Sequence, residues 1–146
     1  RTIEEIIHCV YDTIVDLDAT SPLRIIDDIH KSIEMLENSL DSNTLITGAP
    51  SRRSPYFNLV ELNEKGFVRR SKNLDNPIIR RQDSPKCFDM NASIYLWKRK
   101  AFYQAKTVIT DETRLFVMPE ERSIDIDSEL DFEIVKLLMK NKELTS

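Results

Sequence analysis

Apolar residues along this chain fall into short runs whose spacing switches between helical and extended. Ile3, Ile6, Ile7 and Val10 recur every three or four residues, which predicts an amphipathic helix over residues 1–10. Tyr11 to Leu17 follows almost at once, and its β-branched Thr13, Ile14 and Val15 predict a buried strand. Ile26, Ile29, Ile33, Leu36 and Leu40 then define a long helix, with Asp27 and Asp28 where a helix N-terminus favours negative charge. Thr44 to Pro50 reads as a second buried strand. Strand, helix and strand in that order make a parallel crossover unit, so the class is α/β.

From residue 51 to residue 91 this rhythm breaks. Leu59-Val60-Glu61-Leu62 and Phe67-Val68-Arg69-Arg70 flank Asn63-Glu64-Lys65-Gly66, the pattern of a β-hairpin with glycine closing its turn. The segment is an excursion from the main sheet within a single domain spanning residues 1–146, and its Arg69, Arg70, Lys72, Arg80 and Arg81 suit either anion binding or a solvated face. Ser93 to Trp97 returns to a strand, Lys100 to Ala105 predicts a short helix, and Thr113 to Met118 another strand. Leu130, Ile134, Leu137 and Leu138 mark a closing helix whose stripe packs on the sheet.

Candidate chemistry lies between these elements. Ser123-Ile124-Asp125-Ile126-Asp127 places two carboxylates on alternate residues, and in an extended segment such residues face the same way. Paired hard oxygens suit Mg²⁺ or Mn²⁺ when the ion keeps several waters and takes other ligands from a phosphate. A solvated acidic turn is the plainer reading. Ser128, with Asp131 three residues on, reads as the cap of the closing helix, which sets the pair at a strand-to-helix junction. The other candidate is Asp18-Ala19-Thr20-Ser21-Pro22-Leu23-Arg24, beyond the end of a strand, where open α/β sheets bind ligands. Its polar residues serve equally well as turn formers.

Composition narrows the picture. A net charge of −4 with no basic run argues against a nucleic-acid-coating protein, and no apolar stretch approaches the roughly 18 residues that span a bilayer. Cys9 and Cys87 are too few for a disulfide framework, so a reduced, cytoplasmic setting is expected. The only glycines, Gly48 and Gly66, do not start a phosphate-cradling loop.

Three stretches in order, Asp18 to Arg24, Arg81-Gln82 through Pro85 and Phe88 to Asn91, and Ser123 to Asp127, resemble the CMP-sialic acid synthetase family. Arg53-Ser54-Pro55-Tyr56-Phe57-Asn58-Leu59-Val60-Glu61 and the run from Pro85 to Tyr95 are most similar to its legionaminic acid branch. The resemblance implies a Rossmann-like nucleotide-diphospho-sugar transferase fold, with a mostly parallel sheet flanked by helices. It implies that CMP passes from CTP to the anomeric hydroxyl of a nine-carbon α-keto acid sugar, with Asp125 and Asp127 holding Mg²⁺ or Mn²⁺. Asp18, Ser21, Arg24, Asn58, Asp89 and Asn91 would then lie at the sugar. Arg81 and Gln82 would reach the sugar of a neighbouring subunit, which implies a homodimer built through the hairpin excursion.

Two positions depart from the sialic acid enzymes, which carry glutamine in place of Asp18 and arginine in place of Asp89. An acceptor-only carboxylate for an amide, and an anion for a cation, change what the sugar must offer. The family's glycine-containing phosphate loop precedes the Thr-Ser-Pro-Leu-Arg turn by more residues than this chain has there, so the sequence reads as a fragment lacking the nucleotide-holding part. A cytidylyltransferase for pseudaminate or 3-deoxy-octulosonate, or a non-catalytic dimerising remnant, are the alternatives.

Overall fold

The computed structural model describes residues 3–74, 80–104 and 106–143, and the side chains of residues 81, 142 and 143 lie outside that description. Arg1, Thr2 and Ala105, each assigned to a helix by periodicity, are also outside it. The chain divides into two compact units, one of residues 1–49 with 90–146 and one of residues 50–89.

In the larger unit a four-stranded sheet has the order β1-β5-β2-β6. Its strands are β1 (Thr13–Leu17), β2 (Thr44–Pro50), β5 (Phe88–Lys98) and β6 (Thr113–Val117). β2 pairs in parallel with β6, with Ile46 opposite Leu115, whereas β1 pairs antiparallel with β5, with Val15 opposite Leu96. The Lys98 N–H donates to Asn43 O and the Ile94 N–H to Thr47 Oγ1, so β5 runs against β2 as well. The strand-helix-strand unit is therefore present, but β5 is inserted between its two strands. Two helices precede the middle of the chain, α1 (Ile3–Ile7) and α2 (Ile26–Glu37), and two follow it, α3 (Arg99–Gln104) and α4 (Glu129–Glu143).

The core forms where α2 lies on the sheet: Leu36 meets Leu45, Ile94, Leu96 and Met118, with Val15, Ile29, Ile33 and Phe116 around them. Six of the seven residues of β2 are buried, as befits a central strand covered on both faces. β1 was expected to be buried too, but it is the edge strand and is only half-buried to exposed.

Three helices bury less apolar surface than their periodicity suggests. α2 buries Asp28, Ser32 and Leu36, while Ile26 and Leu40, at the two ends of the predicted stripe, are exposed. Its face is set by where the sheet lies, and Leu40 is already beyond the last helical turn. In α4, Val135 is buried and Leu138 half-buried, but Leu130, Ile134 and Leu137 face outward. α1 ends early because His8 takes a positive φ of 52°, and it has no buried residue. Its anchor is polar: the Glu4 carboxylate accepts from Arg99 Nε (3.0 Å) and Nη2 (2.6 Å) and from the Tyr11 N–H (3.2 Å).

The smaller unit carries the predicted hairpin. β3 (Val60–Leu62) and β4 (Val68–Arg70) pair antiparallel, with Leu62 opposite Val68. Asn63 Oδ1 accepts from the Lys65 and Phe67 N–H groups, and Gly66 supplies the φ of 79° that the turn requires.

We predict that Leu36→Ala lowers unfolding free energy by about 2–5 kcal/mol, because Leu36 is 0% exposed in the core. Leu40→Ala should change it by less than about 0.5 kcal/mol, because Leu40 is 101% exposed. Urea denaturation of both variants checks this, and equal losses would show that the predicted stripe, rather than the observed face, is buried.

Candidate functional site

The turn after β1 is held by its own polar residues and by β5. Asp18 donates its N–H to Ser93 O (3.3 Å), and its Oδ1 accepts from the Thr20 N–H (2.9 Å) and Thr20 hydroxyl (2.8 Å). Those two bonds, the backbone one first, hold the Asp18 carboxyl below its ordinary pKa, with Arg24 adding a smaller pull. Ser21 is 1% exposed and donates to Asn91 O (3.3 Å). Arg24 Nη1 donates to Ser21 O (2.8 Å) and Ser93 O (3.2 Å). Asp18, Ser21 and Arg24 thus form one pinned turn, so the turn-forming role is real for all three.

Asn91 is the hub beneath that turn. Its neighbour Ala92 has a φ of 50°, a kink that interrupts the alternation of β5 and turns Asn91 inward, where it is 6% exposed. Asn91 Oδ1 accepts from Thr47 Oγ1 (2.7 Å) and the Ser93 N–H (3.2 Å), and Nδ2 donates to Ser123 Oγ (2.9 Å). One buried amide thereby joins β2, β5 and the carboxylate stretch.

That stretch is not a direct continuation of a strand. β6 ends at Val117, a 3₁₀ turn spans Glu120–Arg122, and residues 123–128 run irregularly into α4. The expected helix cap is present: the Asp131 N–H donates to Ser128 Oγ (3.3 Å), and the Ser128 hydroxyl to Asp131 Oδ2 (2.6 Å). Ser123 Oγ donates to Pro119 O (2.8 Å), and the Ile126 N–H donates to Thr20 O (3.0 Å). This last bond ties the carboxylate stretch to the Asp18–Arg24 turn. Asp125 is half-buried and Asp127 exposed, so the two differ in environment although they alternate in sequence.

Asp125 Oδ1, like Ser93 Oγ in the neighbouring strand, is buried and has no hydrogen-bond partner among the described residues. An unsatisfied buried carboxylate oxygen is costly unless a cation or donor meets it, and a hard oxygen fits a divalent ion. No group of three His, Cys, Asp or Glu residues gathers as a metal site among the described residues. An ion here would therefore draw its other ligands from water and from a bound phosphate.

Several neighbours of this site gave no signal in the sequence. Tyr95, which reads simply as part of a strand, is half-buried, and its hydroxyl pKa is raised by burial and then by the charges of Asp18, Asp125 and Asp16. Thr47 reads as a strand residue, and Ser123 opens the carboxylate motif with no role of its own. Arg122 reads as one more surface cation, yet it pairs with a buried carboxylate.

The remaining candidates belong to the smaller unit. Asn58 Oδ1 accepts from the Ser54 N–H (2.8 Å) and closes its own turn, and exposed Asp89 accepts from Ser51 Oγ (2.7 Å). Gln82 lies in a 3₁₀ turn (Arg81–Asp83) beside a cavity of about 670 Å³, together with Ser84, Lys86 and Phe88. Arg81 begins that turn, and its side chain is outside the described residues.

Comparison with known proteins bears out the resemblance carried by the three motifs. The chain is 48% identical over 141 residues to the post-translational flagellin modification protein B of Campylobacter coli, covering 97% of this chain and 58% of that protein. It is 46% identical over 142 residues to the CMP-N,N'-diacetyllegionaminic acid synthase of Campylobacter jejuni subsp. jejuni, covering 97% of this chain and 59% of that protein. It thus spans less than two thirds of either relative. No family profile matches the chain. Among solved structures, 4-diphosphocytidyl-2C-methyl-D-erythritol synthase from Anaerococcus prevotii superposes with a TM-score of 0.53 over 97% of this chain and 67% of that one, at 13% identity. The likeness is one of fold alone: a mixed α/β sheet flanked by helices.

Two predictions follow from the turn and its hub. Asn91→Leu removes the partners of Thr47 Oγ1, the Ser93 N–H and Ser123 Oγ together, and should cost about 3 kcal/mol or more in urea denaturation. A loss below about 1 kcal/mol would mean the hub holds nothing together. The lowered pKa of Asp18 contributes stability that is present above its unfolded value and is lost as pH falls through the folded one. Thr20→Val should raise the Asp18 pKa in a carboxyl NMR titration, and an unmoved midpoint would remove the hydroxyl from the explanation.

Proposed function

We propose that the full-length protein transfers CMP from CTP to the anomeric hydroxyl of a nine-carbon α-keto acid sugar of the legionaminic acid type. The observation that carries this reading is the Ile126 to Thr20 backbone bond (3.0 Å), which draws the Asp125–Asp127 stretch against the polar turn of Asp18, Ser21 and Arg24. A metal-carboxylate end and a sugar-binding end must be adjacent if a sugar hydroxyl is to meet the α-phosphate of a nucleotide. The names and identity of the two Campylobacter relatives support it.

In the reaction the anomeric hydroxyl releases its proton to solvent as a new bond forms between its oxygen and the α-phosphorus of CTP, and the bond from that phosphorus to the departing pyrophosphate breaks. Asp125 and Asp127 would hold Mg²⁺ or Mn²⁺, which when bound screens phosphate charge and polarises the phosphoryl group. The buried Asp125 Oδ1, without a partner among the described residues, fits that role. Asp18 offers the sugar a carboxylate kept ionised by its two Thr20 bonds, and Arg24 offers the guanidinium hydrogens not directed at Ser21 O and Ser93 O. A second copy is expected across the hairpin unit, where Val60, Leu62, Phe67 and Val68 are exposed.

We predict that Asp127→Asn folds normally and lowers CTP-dependent turnover of the full-length protein by orders of magnitude, on the order of 10²-fold or more. Near wild-type rates at limiting Mg²⁺ would refute the metal assignment. We further predict a kcat/KM for N,N'-diacetyllegionaminic acid well above that for N-acetylneuraminic acid, up to about 10⁴-fold if a buried hydrogen bond is lost with the wrong sugar. Equal values would show that Asp18 and Asp89 do not read the acceptor.

A further inference from the structure

Arg122 occupies the last position of the 3₁₀ turn that leads into the carboxylate stretch, three residues before Asp125. Its Nε donates to Asp28 Oδ2 (2.9 Å) and its Nη2 to Asp28 Oδ1 (2.8 Å), a two-pronged pair. Asp28 is 3% exposed, and the same Oδ2 accepts from the Ile25 N–H (3.0 Å), which caps α2. The guanidinium therefore meets a carboxylate that α2 already holds rigidly. A planar fork against both oxygens fixes direction as well as distance, which an ordinary surface ion pair does not.

We propose that Arg122 is a positioning residue for the carboxylates, setting the backbone from which Asp125 reaches a divalent ion. The proposal rests on the metal role assigned above. Arg122 anchors the stretch at its start, Ser123 and Asn91 one residue later, and Ile126 to Thr20 just beyond Asp125. Asp125 sits between fixed points on both sides, and its Oδ1 is left buried without a partner. A loop with only one anchor could turn that oxygen toward solvent or a backbone N–H. Anchors on both sides deny it that relief and keep it available for a cation. Asp28 belongs to α2, the helix that follows the Asp18–Arg24 turn, so the same pair couples the placement of the sugar-side turn to that of the metal-side carboxylates.

The test uses the full-length protein with Mn²⁺ and CTP and without sugar, reading bound Mn²⁺ by electron paramagnetic resonance alongside thermal melting. Arg122→Lys keeps the charge and loses the fork; it should weaken Mn²⁺ binding on the order of 10-fold, as loss of a supporting contact at a metal site does. Asp28→Asn should weaken it comparably, and the double variant little more than either, because both changes break one contact. Should Arg122→Lys not fold, Asp28→Asn provides the same comparison. Wild-type Mn²⁺ affinity in both folded variants, whatever their Tm, overturns the positioning role, and the proposed function survives provided Asp125→Asn still abolishes binding. Asp125→Asn binding Mn²⁺ as tightly as wild type overturns both.

Discussion

A kinked central strand must find partners for the polar groups its kink turns inward, and in this protein a single amide meets much of that demand, leaving Ser93 Oγ buried without a partner among the described residues. With Ala92 at a positive φ, β5 brings Asn91 into the interior, where a side chain with two donors and one double acceptor can bridge several elements. It takes Thr47 from β2, the Ser93 backbone from its own strand and Ser123 from the carboxylate stretch, while its carbonyl takes Ser21. Buried polar networks of this kind are costly when incomplete, so the position of each partner is narrowly constrained. The turn after β1 and the carboxylate stretch are both fastened to this buried part of the sheet.

The charged residues divide between holding the structure and leaving atoms for chemistry. Arg99 holds α1 through Glu4, Arg122 holds the carboxylate stretch through Asp28, and Arg24 spends two hydrogen bonds on its own turn. Exposed pairs such as Lys31 with Asp27 and Lys136 with Glu133 add little, since solvent screens them. The exception within the site is Asp125, whose buried oxygen lacks a partner.

Apolar surface tells a complementary story. The core of Leu36, Leu45, Ile94, Leu96 and Met118 sits between α2 and the sheet, while α1 and much of α4 turn isoleucine and leucine outward. The hairpin is likewise exposed along both strands, its Val60, Leu62 and Val68 included. Side chains of this kind are stabilised only when something covers them, and α1 is kept in place by an ion pair instead.

The sequence alone determined which segments are helix, strand and hairpin, because those choices depend on local periodicity and turn chemistry: α2, β2, the Asn63–Gly66 turn and the Ser128 cap all lie where the residues put them. It also marked Asp18, Ser21, Arg24, Asp125 and Asp127, since polar residues beyond strand ends and alternating carboxylates are visible in one dimension, whereas Asn91 was marked by the family resemblance alone. Tertiary structure decided which face of each element is buried. Periodicity shows that a stripe exists but not where its partner lies, so Ile26, Leu40, Leu130 and Leu137 are exposed despite fitting a stripe. It also decided that β5 enters between β1 and β2, because strand order depends on contacts between residues as far apart along the chain as Thr47 and Ile94 or Thr13 and Lys98, about which local pattern says nothing. The roles of Asn91, Arg122 and Tyr95 came from folding for the same reason: Arg122 is an ordinary cation until the chain brings it to Asp28, 94 residues away.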